Sequence, residues 1–558
     1  MRQSLTKWLL PVLGLLICAT FLRAEDAFDT LARDFWQWRT IHQPLSGDDI
    51  PRIEHPEDWV PIWSPSSIAE QRKALAEFDH RWKGLDASSW PAPRQVDYRL
   101  IGSALARVHW ELDILRPWQR NPAFYIDQTL GAVFDRLVQP PPFDSIRSKQ
   151  LVRRMANIPT VLDDARLNLT EAVGPFAQIA IAGLQKVRDR LNRVDKELTP
   201  LLVAESREPF HTATLRAADA LEAYSQWIQQ RLPEMVKQTA VGRENYLFFL
   251  KNVALIPISP EDMLQMGRQE WERAVAFETY EKNRNRRLPP LSIFKDQEAQ
   301  IAHSRQDEFD IRRFLEEKEI LTVPDWLQHY GNLPMPPYLE PLRGLGVTDD
   351  LTSPTRLKEN AVSYIPVPSN SLGYFYLATA YDPRPLMVHE GIPGHYMQMA
   401  LSWAHENPIR RHYYDSGSNE GIGFYAEEMM LQAGLFDNSP KTREIIYSFM
   451  RLRALRVEVD VKLATGQFSI QQAAGYLEKT VPMDAETALE EAASFASTPG
   501  HAITYQIGKL QILQFLADAR RAKGQAFSLC IFHDFLYKNG NVPIALQRWE
   551  YLDDRPLF

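Results

Sequence analysis

Cysteine is nearly absent from this 558-residue sequence, which has two, Cys18 and Cys530. Cys18 falls in a stretch read below as a removable leader, so the mature chain keeps one thiol and an internal disulfide is excluded. Long apolar runs are missing too. The run from Trp8 to Leu22 is about 15 residues, short of the ~20 needed to cross a bilayer, and no later stretch qualifies. Positive charge is in deficit, with 63 Lys and Arg against 71 Asp and Glu and a formal charge of -8, which gives no basis for nucleic-acid binding. No Gly/Ser linker, low-complexity tract or repeat marks a boundary. The length alone would suggest several domains, but the simpler reading of 25–558 is one large helical unit, with room for two lobes.

The N-terminus has the layout of a secretory signal peptide over 1–24: basic Arg2 and Lys7, the apolar run, then Leu22-Arg23-Ala24 before the acidic Glu25-Asp26. Cleavage near Ala24 removes three basic residues and no acidic ones, so -8 becomes -11. A lipoprotein anchored through Cys18 is the rival, disfavoured because Ile17 is bulky where a small residue is wanted. The expectation is an exported protein of the periplasm or cell envelope, with no transmembrane span in the mature chain.

What is present is core material, 45% hydrophobic residues and 14 Trp. Apolar residues recur at helical intervals from Ser66 to Leu85, with Ser66 or Ser67 as N-cap, and from Val96 to Leu115. The pattern continues over Ile146–Asp164, Asn168–Leu198, Thr212–Lys237 and Pro260–Lys282. Only Val362–Pro368 and Gly373–Leu377 read as short β-runs, which predicts a small β-sheet or hairpin.

Just beyond them stands His389-Glu390-Gly391-Ile392-Pro393-Gly394-His395. In HExxH zinc hydrolases two His four apart share a metal and the Glu activates water. Here the two His are six apart. On a regular helix that spacing turns the second about 120° away and lifts it about 9 Å. Pro393 lacks the N–H that the ladder needs, so the insert must loop out or the helix must break, and the remaining spacing then imitates HExxH. Glu420, on a second helix, would complete a His2Glu site with an open position. Glu427, seven residues on, shares its face, so one of the two carboxylates can bind metal while the other orients a ligand. Glu428 reads as an ordinary solvated charge, and His405 and His412 as surface imidazoles. Arg384 is placed either to meet a substrate carboxylate or to pair with a nearby acid, while Asp382 or its turn opens the metal segment. Arg456 and Asp460, four apart, can pair along their helix. His501 and Tyr505, also four apart, can present an imidazole or a phenol to the open side of the metal.

HEGIPGHYMQ from His389, EGIGFYAE from Glu420, RALRVEVD from Arg453 and PGHAITY from Pro499 occur in order. In these the chain resembles the bacterial domain-of-unknown-function family 885, whose members look like zinc-dependent peptidases of the HExxH type. Its pattern runs HEGxPGHHxQ, EGWxxYAE, RAxRxxxD, PGQAxxY. The chain departs from it at Tyr396 (second His), Ile422 (Trp), Ala464 (His), Ser494 (Arg), Phe495 (Tyr) and His501 (Gln). The resemblance implies a mainly α, large multi-helix zincin-like metallopeptidase fold with its site in 380–510. It implies one Zn²⁺ held by His389, His395 and Glu420, Glu390 as general base, Tyr505 steadying the oxyanion, and Arg456 and Asp460 in support. The expected partner is a peptide substrate. The alternatives are a non-catalytic envelope protein that binds a peptide or cell-wall fragment, favoured by the departures, and a zinc amidase for a non-peptide amide.

Overall fold

The computed structural model describes residues 26–46, 54–481 and 483–556. The predicted leader, its cleavage point at Ala24 and Cys18 lie outside these. Among the described residues no helix is long and apolar enough to cross a membrane.

Helices dominate, and their ends follow local chemistry more closely than the apolar pattern does. Ser64, rather than Ser66 or Ser67, caps the helix Pro65–Lys83, its hydroxyl accepting from the Ser67 N–H at 3.2 Å. Pro65 starts the helix because it has no N–H to satisfy and its φ is preset. The pattern from Val96 becomes Ala92–His109, running into a wider π turn over Trp110–Leu115. Ile146–Asp164 lies inside Ser145–Asn168, capped by Asp144. The stretch Asn168–Leu198 is two helices, Gly174–Gly183 and Val187–Leu198. They part where Lys186 turns left-handed at φ 53. Thr212–Lys237 shifts to Ala204–Arg231 and ends before Pro233, whereas Pro260–Arg284 starts as expected.

Two cores matter here. Ser145–Asn168 and Ala204–Arg231 share one, built on Leu151, Ile158, Phe210 and Tyr224. The helices His395–Trp403, Ser416–Ala433 and Ile503–Lys523 share another, with Met397, Ile422, Phe424 and Phe515 fully buried. Each such side chain contributes roughly 1.5–3 kcal/mol through burial. This second core holds the candidate site.

The predicted sheet is present with different members. Strands β1 (Tyr330–Pro334), β2 (Asp349–Asp350) and β3 (Ala361–Ile365) order as β1-β3-β2. β1 and β3 run parallel, and β2 is antiparallel to β3. The expected β-run at Gly373–Leu377 is instead the start of the helix Tyr374–Tyr381. Tyr374 and Phe375 both pack against Phe449 of the helix Pro440–Ala464, a contact between consecutive residues and one partner that outweighs the β-propensity of the aromatics.

One buried imidazole ties stability to pH. His533 bridges the Ile320 carbonyl (Nδ1, 2.8 Å) and the Tyr425 hydroxyl (Nε2, 2.8 Å). Burial pushes it down from 6.5 to about 4. The folded state therefore keeps it neutral while the unfolded chain protonates near 6.5. Its contribution is complete above that pH and is lost as pH falls towards 4, by about 3 kcal/mol at most. Urea melts from pH 7 to 4 should show a smaller loss of stability in His533→Gln than in the natural protein.

Candidate metal centre

Met387–Gly391 form a π turn closed by the Ile392 N–H on the Met387 carbonyl at 3.1 Å. Such wide turns recur at functional sites. Asp382 opens the segment by accepting from the Arg384 N–H at 3.0 Å. After Ile392 the chain restarts as a helix at His395. A Cβ on Gly394 would lie 1.7 Å from the His389 carbonyl oxygen, so only glycine lets the backbone fold back this tightly. The six-residue spacing is thus resolved by a helix break, and the two imidazole centroids come within 4.6 Å at 79°.

The helix Ser416–Ala433, capped by Asp415 on the Ser418 N–H at 2.7 Å, crosses this pair. Glu420 Oε2 lies 3.3 Å from His389 Nε2 and 3.2 Å from His395 Nε2. A tetrahedral ion with bonds of about 2.0–2.1 Å spaces its ligands about 3.3–3.4 Å apart, which matches the separation of Glu420 Oε2 from each imidazole nitrogen. Glu420 Oε2 and both ring nitrogens of His395 are buried with no hydrogen-bond partner among the described residues, which native proteins rarely leave unexplained. Glu390 is the other carboxylate, and it and both His offer donor atoms within 4.8 Å of one another. Either carboxylate could join the two imidazoles at a metal, and one oxygen of Glu420 approaches both Nε2 atoms.

A neighbour missing from the sequence reading sets the fit. A Cβ on Gly423 would fall 2.8 Å from His395 Cε1 and 2.9 Å from His389 Cε1. The helix reaches the imidazoles only because that side chain is absent. Gly423→Ala should therefore push the rings apart, and any metal that the two imidazoles hold should bind about 10–100-fold more weakly, the range seen when residues that orient ligands are changed. Titration against a chromogenic chelator measures this.

His389 is held from behind. Its Nδ1 lies 2.7 Å from Glu427 Oε1, and Arg453 Nη2 lies 2.9 Å from the same oxygen. Arg453 Nη2 also lies 3.3 Å from His389 Nδ1, so the imidazole, the Glu427 carboxylate and the guanidinium form one buried charged cluster behind the ring. Burial opposes ionisation of Glu420, but the two imidazoles outweigh it and hold the carboxyl well below its usual range. Glu390 goes the other way. Burial, with Asp349 and Glu420 nearby and His395 and Arg453 opposing, pushes it up to about 8. Asp349, on a two-residue strand and bonded by the Tyr330 hydroxyl at 3.0 Å, carries no signal in the sequence that would connect it to Glu390.

Tyr505 closes another side, its ring 6.2 Å from that of His389 at 15°. Burial and then Glu420 hold its phenol far above its ordinary range, so it remains a hydrogen-bond donor. Arg456 lies 4.3 Å over the Tyr505 ring. Arg456 and Asp460 do not form the pair that their spacing allows. Arg456 bonds Glu491 and packs on Phe495. Asp460 accepts from Tyr246 Oη (2.9 Å) and from the N–H groups of Gly500 (2.9 Å) and Ala502 (2.7 Å). It thereby fixes the loop that presents His501 and Tyr505. Glu428 is not a solvated charge either, being paired with Arg273 (3.0 Å) and Lys509 (2.7 Å). Arg384 pairs with Asp382 at 2.6 Å, the nearby acid of the two placements its sequence position allows. Tyr396, where the family pattern has His, is buried against Tyr330 of β1, ring centroids 6.3 Å apart.

The model of the family described as "Bacterial protein of unknown function (DUF885)" matches residues 47–549. Two solved structures share the fold. A candidate lipoprotein of unknown function from Shewanella oneidensis aligns with TM-score 0.68 and 17% identity over 94% of this chain and 99% of its own. A candidate lipoprotein from Colwellia psychrerythraea aligns with TM-score 0.69 and 16% identity over 95% and 99%. No curated protein matches the sequence.

Proposed function

This chain belongs to that bacterial family of unknown function, and from that premise we propose that it is a zinc-dependent hydrolase with a zincin-like site, a peptidase of the cell envelope. The observation that carries the reading is the placement of one Glu420 oxygen 3.3 and 3.2 Å from two imidazole nitrogens, with a second carboxylate, Glu390, alongside. His389, His395 and Glu420 would hold Zn²⁺, which when bound acidifies water and polarises a carbonyl. The location in the envelope rests on the basic and apolar N-terminus.

Glu390 takes the proton of the attacking water as its oxygen joins the carbonyl carbon, then returns that proton to the amine as the C–N bond breaks. Burial and the neighbouring carboxylates favour its protonated form, which suits the return of the proton to the amine. Tyr505, kept protonated, donates to the carbonyl oxygen as charge develops, an interaction worth about 3–4 kcal/mol when well placed. β1 abuts the turn that carries Glu390 through Tyr330, where an extended peptide could add to the sheet edge.

The test is mass spectrometry of a mixed peptide digest incubated with purified protein. Cleavage that stops with a chelator and resumes with added zinc is expected. An intact digest in the presence of zinc-loaded protein would overturn the hydrolase reading in favour of an envelope binding protein, and hydrolysis confined to non-peptide amides would redirect the substrate.

A further inference from the structure

A cavity of about 330 Å³ is lined in part by residues close in the chain to those of the candidate centre. Its wall includes Met399, Ser416 and His501. Each of these stands four residues from a group of the centre: Met399 follows His395 on one helix, Ser416 precedes Glu420 on another, and His501 precedes Tyr505. The last two rings stack at 5.9 Å. Four residues are one helical turn, about 6 Å of rise, so two helices carry the cavity one turn away from the centre, and the bend at His501 just before the Ile503–Lys523 helix does so through its stacked ring. That offset equals about two residues of extended chain. The volume lies at the small end of ligand pockets, about 300–1,000 Å³, enough for a short piece of peptide and too little for a long one.

The polar groups on the wall indicate which end of a peptide belongs there. Arg39 is satisfied, with Glu111 oxygens at 2.6 and 2.7 Å. Arg107 and Arg411 are half-buried and have no carboxylate within ion-pair distance among the described residues. Arg107 lies 6.0 Å over the Phe249 ring, and Arg411 donates to the His405 carbonyl at 3.0 and 2.9 Å. Asp415 feels the charge of Arg107 but commits its carboxylate to capping the Ser416 helix. Trp36 Nε1, from the same wall, is buried without an acceptor. The wall also carries the carboxylates of Glu54, Glu111 and Asp127, but none is at ion-pair distance from Arg107 or Arg411, and guanidinium groups so placed, beside an unused N–H in an aromatic cavity, suit a carboxylate.

We infer that the cavity receives the C-terminal end of a peptide, with its free carboxylate held by Arg107 and Arg411. Cleavage then falls one or two residues from that end and releases an amino acid or a dipeptide. The inference rests on the peptidase reading and gives it a direction, that of a carboxypeptidase.

The experiment separates the two. Zinc-loaded Glu390→Gln protein is titrated calorimetrically with acetyl-Ala-Ala-Phe and with its C-terminal amide, and the natural protein is tested for cleavage of the same pair. The free acid should bind at least about tenfold more tightly, a difference of about 1.4 kcal/mol. That preference should vanish when Arg107→Gln or Arg411→Gln is added, at unchanged melting temperature, and should survive in part in Arg107→Lys. Equal binding of acid and amide, binding of neither at millimolar peptide, or a preference untouched by both Gln variants would overturn the carboxylate site. A preference for the acid without cleavage by the natural protein would sink the hydrolase reading and leave the site standing.

Discussion

Zinc in the purified protein is expected to fall from about one ion per chain to near zero in both His395→Ala and Glu420→Ala. The size of the effect follows from the number of protein ligands. A three-ligand site with an open position loses a third of its protein donors in either variant, and here the loss also strips the partner from a neighbour. Without Glu420, His389 Nε2 and His395 Nε2 lose the oxygen that approaches both of them. Without His395, Glu420 keeps one imidazole and remains a buried carboxylate. Elemental mass spectrometry of protein dialysed against trace zinc checks both variants, with circular dichroism to confirm the fold. Full zinc content in either variant would assign the metal to other donors, and no zinc in the natural protein after zinc is supplied would remove the metal from the reading.

Glu390→Gln should do the opposite, keeping the zinc while lowering kcat by about 10³-fold or more. Glutamine fills the same space and can hydrogen-bond, but it cannot take a proton from water. The burial and neighbouring carboxylates that push Glu390 up to about 8 are an obstacle to charge that the isosteric amide does not meet, so the metal-free variant should be at least as stable as the metal-free natural protein. A thermal melt and a zinc assay run beside the kinetics distinguish loss of chemistry from loss of the site. A zinc-loaded variant with full activity would take the proton-transfer role away from Glu390.

Residues that act within one or two helical turns were legible in the sequence. The break between His389 and His395 follows from Pro393 and Gly394, because a missing N–H and a missing Cβ act on the backbone where they stand. The shared face of Glu420 and Glu427 follows from helix geometry, and the structure divides their roles by putting one against Nε2 and the other against Nδ1 of His389. The mainly helical fold with a small sheet follows from apolar periodicity.

The tertiary structure decided everything that depends on which distant surfaces meet. Arg456 and Asp460 are good i,i+4 partners, yet Glu491 and the Gly500 and Ala502 N–H groups reach them first, since burial beside a charge from another helix outweighs an exposed pair worth a few tenths of a kcal/mol. Glu428 looks solvated until Lys509 arrives from a helix 81 residues on. Gly423 looks like an ordinary helix glycine until two imidazoles lie against it. The aromatic run at Tyr374 is ambiguous by itself and becomes helix against Phe449. Local sequence fixes what a segment can present, whereas the partner that satisfies it is chosen by packing of the whole chain, where desolvation makes each unpaired charge costly.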